Sequence, residues 1–147
     1  MESWEIAGRL GIDALFGEYV RFVDAGKPDL LAELFTADCL YDMDNGNVAH
    51  GREEIPERVR ALIPIFAGAV NFGRVRHHMS SRRIDFLDRD RAKVTSAFLA
   101  ISGQGPDHWG SYRDIVALEP DGWRFAERVA RVEGAVPHSP MRAWFTG

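Results

Sequence analysis

The hydrophobic period of this chain changes once, near Phe72, and that change restricts the possible folds more than any other feature. Upstream of it, apolar residues recur at helical spacing, with Ile6, Leu10, Ala14, Leu15, Tyr19, Phe22 and Val23 predicting a first helix. The segment "DAGKPDLL" interrupts that pattern with Gly26 and Pro28. "PDLLAELF" restarts it as a short second helix, whose proline stands where no backbone donor is lost. "CLYDM" reads as a strand, stopped by the turn sequence "DNGN". In "GREEIPERVRALIPIFAG", Ile55, Val59, Leu62, Ile63 and Phe66 share one side and predict a third helix. Pro56 fits its first turn, whereas Pro64 should kink it or end it early. Downstream, "RRIDFL", "AKVTSAFLAI", "HWGSYRDIVALE" and "WRFAERVARVE" read as strands. Their links, "DRDR", "SGQGPD" and "PDGW", suit antiparallel hairpins. Helices followed by an antiparallel meander give an α+β domain, with helices covering one face of a curved sheet.

The 147 residues fit one domain, 1–147, large enough to bury a core, and hold no repeat, low-complexity tract or linker. A formal charge of −4 leaves no basic footprint, so nucleic acid is not an expected partner. No apolar run is long enough to cross a bilayer and no signal sequence opens the chain, so no membrane association and a cytoplasmic location are expected. Cys39, the single cysteine, cannot form an internal disulfide and reads as a small buried hydrophobe.

The stretch "RVRHHMSSRRIDF" carries the most chemistry. On a regular strand His77 and His78 point to opposite faces, so at most one enters an interior site. Alternation carried back from Ile84 and Phe86 selects His78, but a bulge in a bent sheet would reset it. A histidine beside a carboxylate makes an acid/base pair without a cofactor, because the carboxylate fixes the tautomer and raises the basicity of the other nitrogen. "HH" followed by His108 has no metal-ligand spacing, and there is neither a glycine-rich phosphate loop nor a GxSxG motif. No metal and no cofactor are therefore expected. His50 and His138 read as surface residues.

The order of elements and four patterns, "YVRFVDAGKPDLLAELFTADCLYDM", "RHHMSS", "GSYRDIVAL" and "GWRFAERVARVEG", resemble the SnoaL-like branch of the NTF2-like superfamily over nearly the whole chain. The resemblance implies a cone: N-terminal helices packed on a strongly bent, mainly antiparallel sheet that encloses one deep pocket. Members include scytalone dehydratase, bile-acid 7α-dehydratase, a dehydrochlorinase, polyketide cyclases and ketosteroid isomerases, while others only bind ligands. Fold alone does not choose among them. In the dehydratases and the dehydrochlorinase, an aspartate late in the first helix partners a histidine of the first long strand. The matching residues are Asp24 and, counting back from "RRIDF", His77, with Ser81 where the family commonly has asparagine. The family's final-strand arginine corresponds to Arg128. Tyr19 stands five residues before Asp24, where the bile-acid dehydratase places a catalytic tyrosine.

Each of these has a plainer reading. Asp24 could end helix one with Lys27 nearby, and Tyr19 could be an amphipathic wall residue. Arg128 could pair with Asp114 across strands and only order the sheet. Candidate pocket walls are Tyr41, Met43, Phe66, His108, Trp109, Tyr112 and Trp144, all residue types that cores use as well. In the tail, Trp144 and Phe145 could fold over a pocket mouth or cross a dimer interface. "AKVTSAFLAI" is apolar on both faces, which predicts a covered outer sheet and a homodimer. The expected function is a cofactor-independent acid/base enzyme, a dehydratase (lyase) acting on a small apolar cyclic hydroxy-carbonyl compound through Asp24 and His77. Isomerisation or polyketide-type ring closure with the same base is the enzymatic alternative. A non-catalytic small-molecule-binding protein is the alternative of another class.

Overall fold

The first helix, α1 (Ser3–Asp24), starts at a reciprocal cap in which Glu2 and Glu5 each accept a hydrogen bond from the other's backbone N–H. In this computed structural model, which describes residues 1–67 and 74–144, its buried face is Gly8, Ile12, Leu15, Phe16 and Tyr19. Ile6, Leu10 and Ala14, which the spacing placed on the apolar stripe, are exposed instead. Glycines explain the difference. A Cβ on Gly8 would lie 2.8 Å from the Phe86 ring, and one on Gly11 2.6 Å from Trp123, so rings from the sheet fill the places where α1 has no side chain. A count of large apolar residues cannot register such positions.

Pro28 opens α2 (Pro28–Ala32), and the chain then enters β1 (Phe35–Asp42). Asp44, Asn45 and Gly46 all adopt positive φ in the turn that follows, which leads into β2 (Val48–His50), a short antiparallel partner that the sequence reading missed. Pro64 does divide the expected third helix, into α3 (Ile55–Arg60) and α4 (Ile63–Ala67). Four long strands follow: β3 (Arg76–Phe86), β4 (Arg91–Ser102), β5 (Gly105–Glu119) and β6 (Gly122–Ala135).

These strands form one open six-stranded sheet in the order β2-β1-β6-β5-β4-β3. All neighbours are antiparallel except β1 and β6, which run parallel with Tyr41 beside Arg128, so the sheet is mixed. Its concave face holds the core, in which Phe16 and Tyr19 of α1 meet Phe35, Tyr41 and Phe125. The register of β3 against β4 slips between Ser80 and Arg83, where Ser81 takes φ 53°. That bulge gives His77 and Ile84, an odd number of residues apart, the same half-buried setting and leaves His78 exposed. No helix among the described residues is long and apolar enough to cross a membrane.

Candidate active site

Where α1 ends, the helices and the concave sheet leave a cavity of about 640 Å³. Asp24 is the last residue of α1, so its carboxylate projects beyond the helix toward the entry of β3. It accepts a hydrogen bond from His77 Nδ1 at 2.7 Å and lies 3.2 Å from the His77 backbone N–H. Contact with both groups fixes the position and the ring orientation of His77 together. The Asp24 side chain is 7% exposed and that of His77 15%, and both line the cavity. With Nδ1 engaged by the carboxylate, Nε2 is the ring nitrogen left to meet a ligand. The β3 bulge thus decides between the two adjacent histidines in favour of His77.

The cavity wall also carries a cluster of phenols. Tyr19 of α1 and Tyr41 of β1 join their hydroxyls at 2.5 Å, and Tyr112 of β5 meets the Tyr19 ring edge-on at 5.9 Å. All three line the cavity, and burial holds each hydroxyl protonated well above the ordinary tyrosine range. Each keeps its proton, and a hydroxyl whose proton is not spent on a neighbouring phenol is suited to donate to a carbonyl oxygen on which negative charge develops.

Arg128, matched by resemblance to the family's final-strand arginine, lies beneath them and does not line the cavity, and the cross-strand pairing with Asp114 is the contact it makes. It is fully enclosed. Its guanidinium donates to Asp114 Oδ2 at 3.3 Å and packs over the rings of Tyr112 at 3.7 Å and Tyr19 at 4.0 Å. Burial pushes the Asp114 carboxyl up to about 7, while Arg128 opposes that shift and has its own pKa raised by Asp114. Aromatic faces thus take the place of hydrogen-bond partners for much of this cation. Its position behind the phenols makes it a support for them.

His108 is buried, with its ring in edge contact with His77 at 6.1 Å. Its Nδ1 donates to Asp107 Oδ2 at 2.7 Å, and the Ser139 hydroxyl donates to the same oxygen at 2.6 Å. Burial lowers the His108 pKa against the opposing pull of Asp107, and a positive His77 would lower it further. The sequence reading overlooked Asp107, because consecutive strand residues should point apart. Here the β4–β5 register slips, Ala100 facing His108 but Ile101 facing Pro106, and both Asp107 and His108 are buried.

Met43, Phe66 and Trp144 also line the cavity, and the Trp144 indole donates to the Met43 carbonyl at 3.3 Å, tying the tail to β1's end. Phe145 lies outside the described residues. Trp109 is not part of the wall. It is 42% exposed, on the opposite face of β5 from His108 and Tyr112, with its ring lying over Gly134. Its place beside His108 in sequence is the reason it points away. Among the described residues, no three His, Cys, Asp or Glu side chains converge as a metal site would require.

Residues 4–129 match the profile of the SnoaL-like domain. Among solved structures, a scytalone dehydratase-like protein of Novosphingobium aromaticivorans is 25% identical, with a TM-score of 0.77 over 91% of this chain and 89% of that one. A protein of unknown function with a cystatin-like fold from Nostoc punctiforme is 20% identical, with a TM-score of 0.75 over 88% of this chain and 93% of the other. LinA is similar at 17% identity, with a TM-score of 0.76 over 89% of each chain. No curated protein matches the sequence. At such identities the last two likenesses are of fold alone.

Proposed function

This chain belongs to the SnoaL-like domain family, and from that premise we propose that it is a cofactor-independent acid/base enzyme that eliminates water from a small, largely apolar cyclic hydroxy-carbonyl compound. One observation carries the reading: the 2.7 Å contact between Asp24 and His77 in the wall of the cavity. It leaves a ring nitrogen free beside a space that Tyr19, Tyr41 and Tyr112 also line.

The steps follow from that arrangement. His77 Nε2 takes a proton from the carbon beside the carbonyl, and the C–H electron pair moves into the carbonyl as an enolate. The hydroxyl group of Tyr19, Tyr41 or Tyr112 donates to the enolate oxygen as its charge grows. When the enolate collapses, the carbon–oxygen bond to the β-hydroxyl breaks with its electron pair on oxygen. That oxygen takes the proton back from the His77 imidazolium. The products are an unsaturated ketone and water, with His77 restored. Acid–base catalysis by a positioned group of this kind supplies on the order of 10²–10⁴-fold. Asp24 holds the tautomer, and Arg128, enclosed beneath the rings, orients Tyr19 and Tyr112.

The test is a panel of cyclic β-hydroxy ketones monitored by enone absorbance. Turnover is expected with at least one of them, and Asp24→Asn should lose it while retaining binding. If every compound that binds is returned unchanged and without deuterium at its α-carbon in heavy water, the enzymatic reading fails and the chain is a binding protein. Deuterium uptake without enone would favour the isomerase or cyclase reading. We also propose a homodimer through the outer sheet, supported by Leu99 of β4 facing the exposed Trp109 of β5. A monomer in sedimentation at micromolar concentration would refute it.

A further inference from the structure

The mechanism above leaves one buried ionisable cluster unused. His108 lines the cavity and is joined behind the wall to Asp107 and Ser139, a connected set carried by different elements from Asp24 and His77. Asp107 is 2% exposed, His108 4% and Ser139 5%, so their mutual contacts are shielded from water. Ser139 belongs to the tail after β6. The tail is held there by the backbone N–H of Val136, which donates to the Asp107 carbonyl at 2.8 Å, and Met141 N–H caps Ser139 within the tail by donating to its Oγ at 3.0 Å.

The direction of these hydrogen bonds determines what the cluster offers a ligand. Asp107 accepts from Ser139 and from His108 Nδ1, so Nδ1 carries a proton. In the neutral ring the other nitrogen, Nε2, is then an acceptor. The His108 ring as a whole meets the Phe98 ring and the His77 ring edge-on, with centroids 6.0 Å and 6.1 Å away. The protonated phenols can donate, whereas His108 Nε2 in this tautomer can only accept, so the cavity wall carries both kinds of group. A purely structural histidine would not need to line the cavity.

We propose that His108, oriented by Asp107 and Ser139, is a second polar anchor that accepts a hydrogen bond from a hydroxyl group of the ligand, distinct from the carbon-bound proton on which His77 acts. This rests on the reading of the cavity as the ligand site. The ligand class it implies is a cyclic carbonyl compound that also carries a free hydroxyl group. The same compound with that hydroxyl methylated should bind poorly. Asp107 and Ser139 touch no ligand in this scheme and are positioning residues.

The test uses 2-naphthol and 2-methoxynaphthalene as probes, nearly equal in shape but only the first having an O–H to donate. Calorimetry on the full chain should show 2-naphthol bound roughly tenfold more tightly, as one well-made hydrogen bond allows. His108→Phe should abolish that preference and leave methoxynaphthalene affinity unchanged, the second probe reporting that the pocket is intact. Ser139→Ala should reduce the preference a few-fold and Ser139→Thr restore it. Long-range proton–nitrogen NMR should report the Nδ1–H tautomer of His108 in the parent protein. Should His108→Phe fail to fold, Asp107→Asn and Ser139→Ala decide the matter by the same ratio. Equal affinity for both probes in the parent protein overturns the proposal, as does a preference that survives His108→Phe or disappears only in His77→Gln. None of these outcomes depends on turnover, so loss of the elimination reading would leave the proposal standing.

Discussion

Asp24 with His77 and Asp114 with Arg128 are both carboxylates paired with nitrogen bases on the concave side of one sheet, yet they differ in what remains free. Asp24–His77 keeps a ring nitrogen toward a cavity, whereas Asp114–Arg128 is sealed, with both side chains wholly inaccessible. In the proposed mechanism the first pair exchanges protons with a guest. The second can only exchange them with the fold. Burial alone therefore does not mark a functional group in this protein, and the strongest pKa perturbation in a carboxylate, that of Asp114, belongs to the pair without access.

The sharpest way to break this contrast is His77→Gln. Turnover in the enone assay should fall by roughly 10²–10⁴-fold, with little change in the thermal midpoint. Near-native turnover would end the assignment of the base. Asp114→Asn should behave in the opposite way, leaving an uncompensated buried guanidinium and costing about 3–5 kcal/mol of stability in urea titration. Replacing both partners, Asp114→Leu with Arg128→Met, should recover part of that loss. If Asp114→Asn proved neutral, the sealed pair would not be a structural ion pair at all. Tyr19→Phe, between the two regions, removes one donor to the developing oxyanion while Tyr41 and Tyr112 remain. A loss of about tenfold in kcat with KM unchanged would place Tyr19 on the catalytic side of the contrast.

The smallest effect concerns pH. Burial lowers the His108 pKa from its ordinary 6.5, so the folded state favours the neutral ring. Between the unfolded and folded values the unfolded chain binds more protons, and stability is lost as pH falls from about 6.5 through the folded pKa. The slope is at most about 1.4 kcal/mol per pH unit. His77 and Asp107 are the ionisable groups in contact with that ring, and both remain in His108→Phe. Midpoints measured from pH 7 to pH 5 should therefore fall more steeply in the parent protein than in the variant. Parallel curves would mean that His108 is not held neutral by the fold.

The sequence made the architecture legible because a hydrophobic period is a local property. The switch near Phe72, the breaks at Pro28 and Pro64 and the hairpin links all appear as elements. What it hid depends on backbone irregularity or on distant partners. Alternation selects His78 and the bulge at Ser81 reverses the choice, yet serine has no preference that announces a positive φ. The β5 slip that buries Asp107 with His108 is invisible for the same reason. Arg128 matched a functional position by resemblance. Only the packing of Tyr19, Tyr112 and Phe125 around it reveals that it is enclosed and does not line the cavity. Ile6 and Leu10 erred in the other direction, since the residues that need the inward face of α1 there are glycines.

The parallel contact between β1 and β6 has a further consequence for how this molecule comes into being. Every other strand pairing joins neighbours in sequence, whereas β1 must await the last strand before its inner edge finds a partner. Such a distant pairing raises contact order and slows folding, because a long loop must close before the contact gives any return. On the ribosome, β3 to β5 can zip as they emerge, while β1 and β2 stand by as an unpaired ribbon until β6 is made. Tyr41 meets Arg128 only at that moment. The phenol side of the cavity therefore cannot be completed before β6 is made, and a nascent chain halted earlier would present the bare edge of β1 to other chains instead.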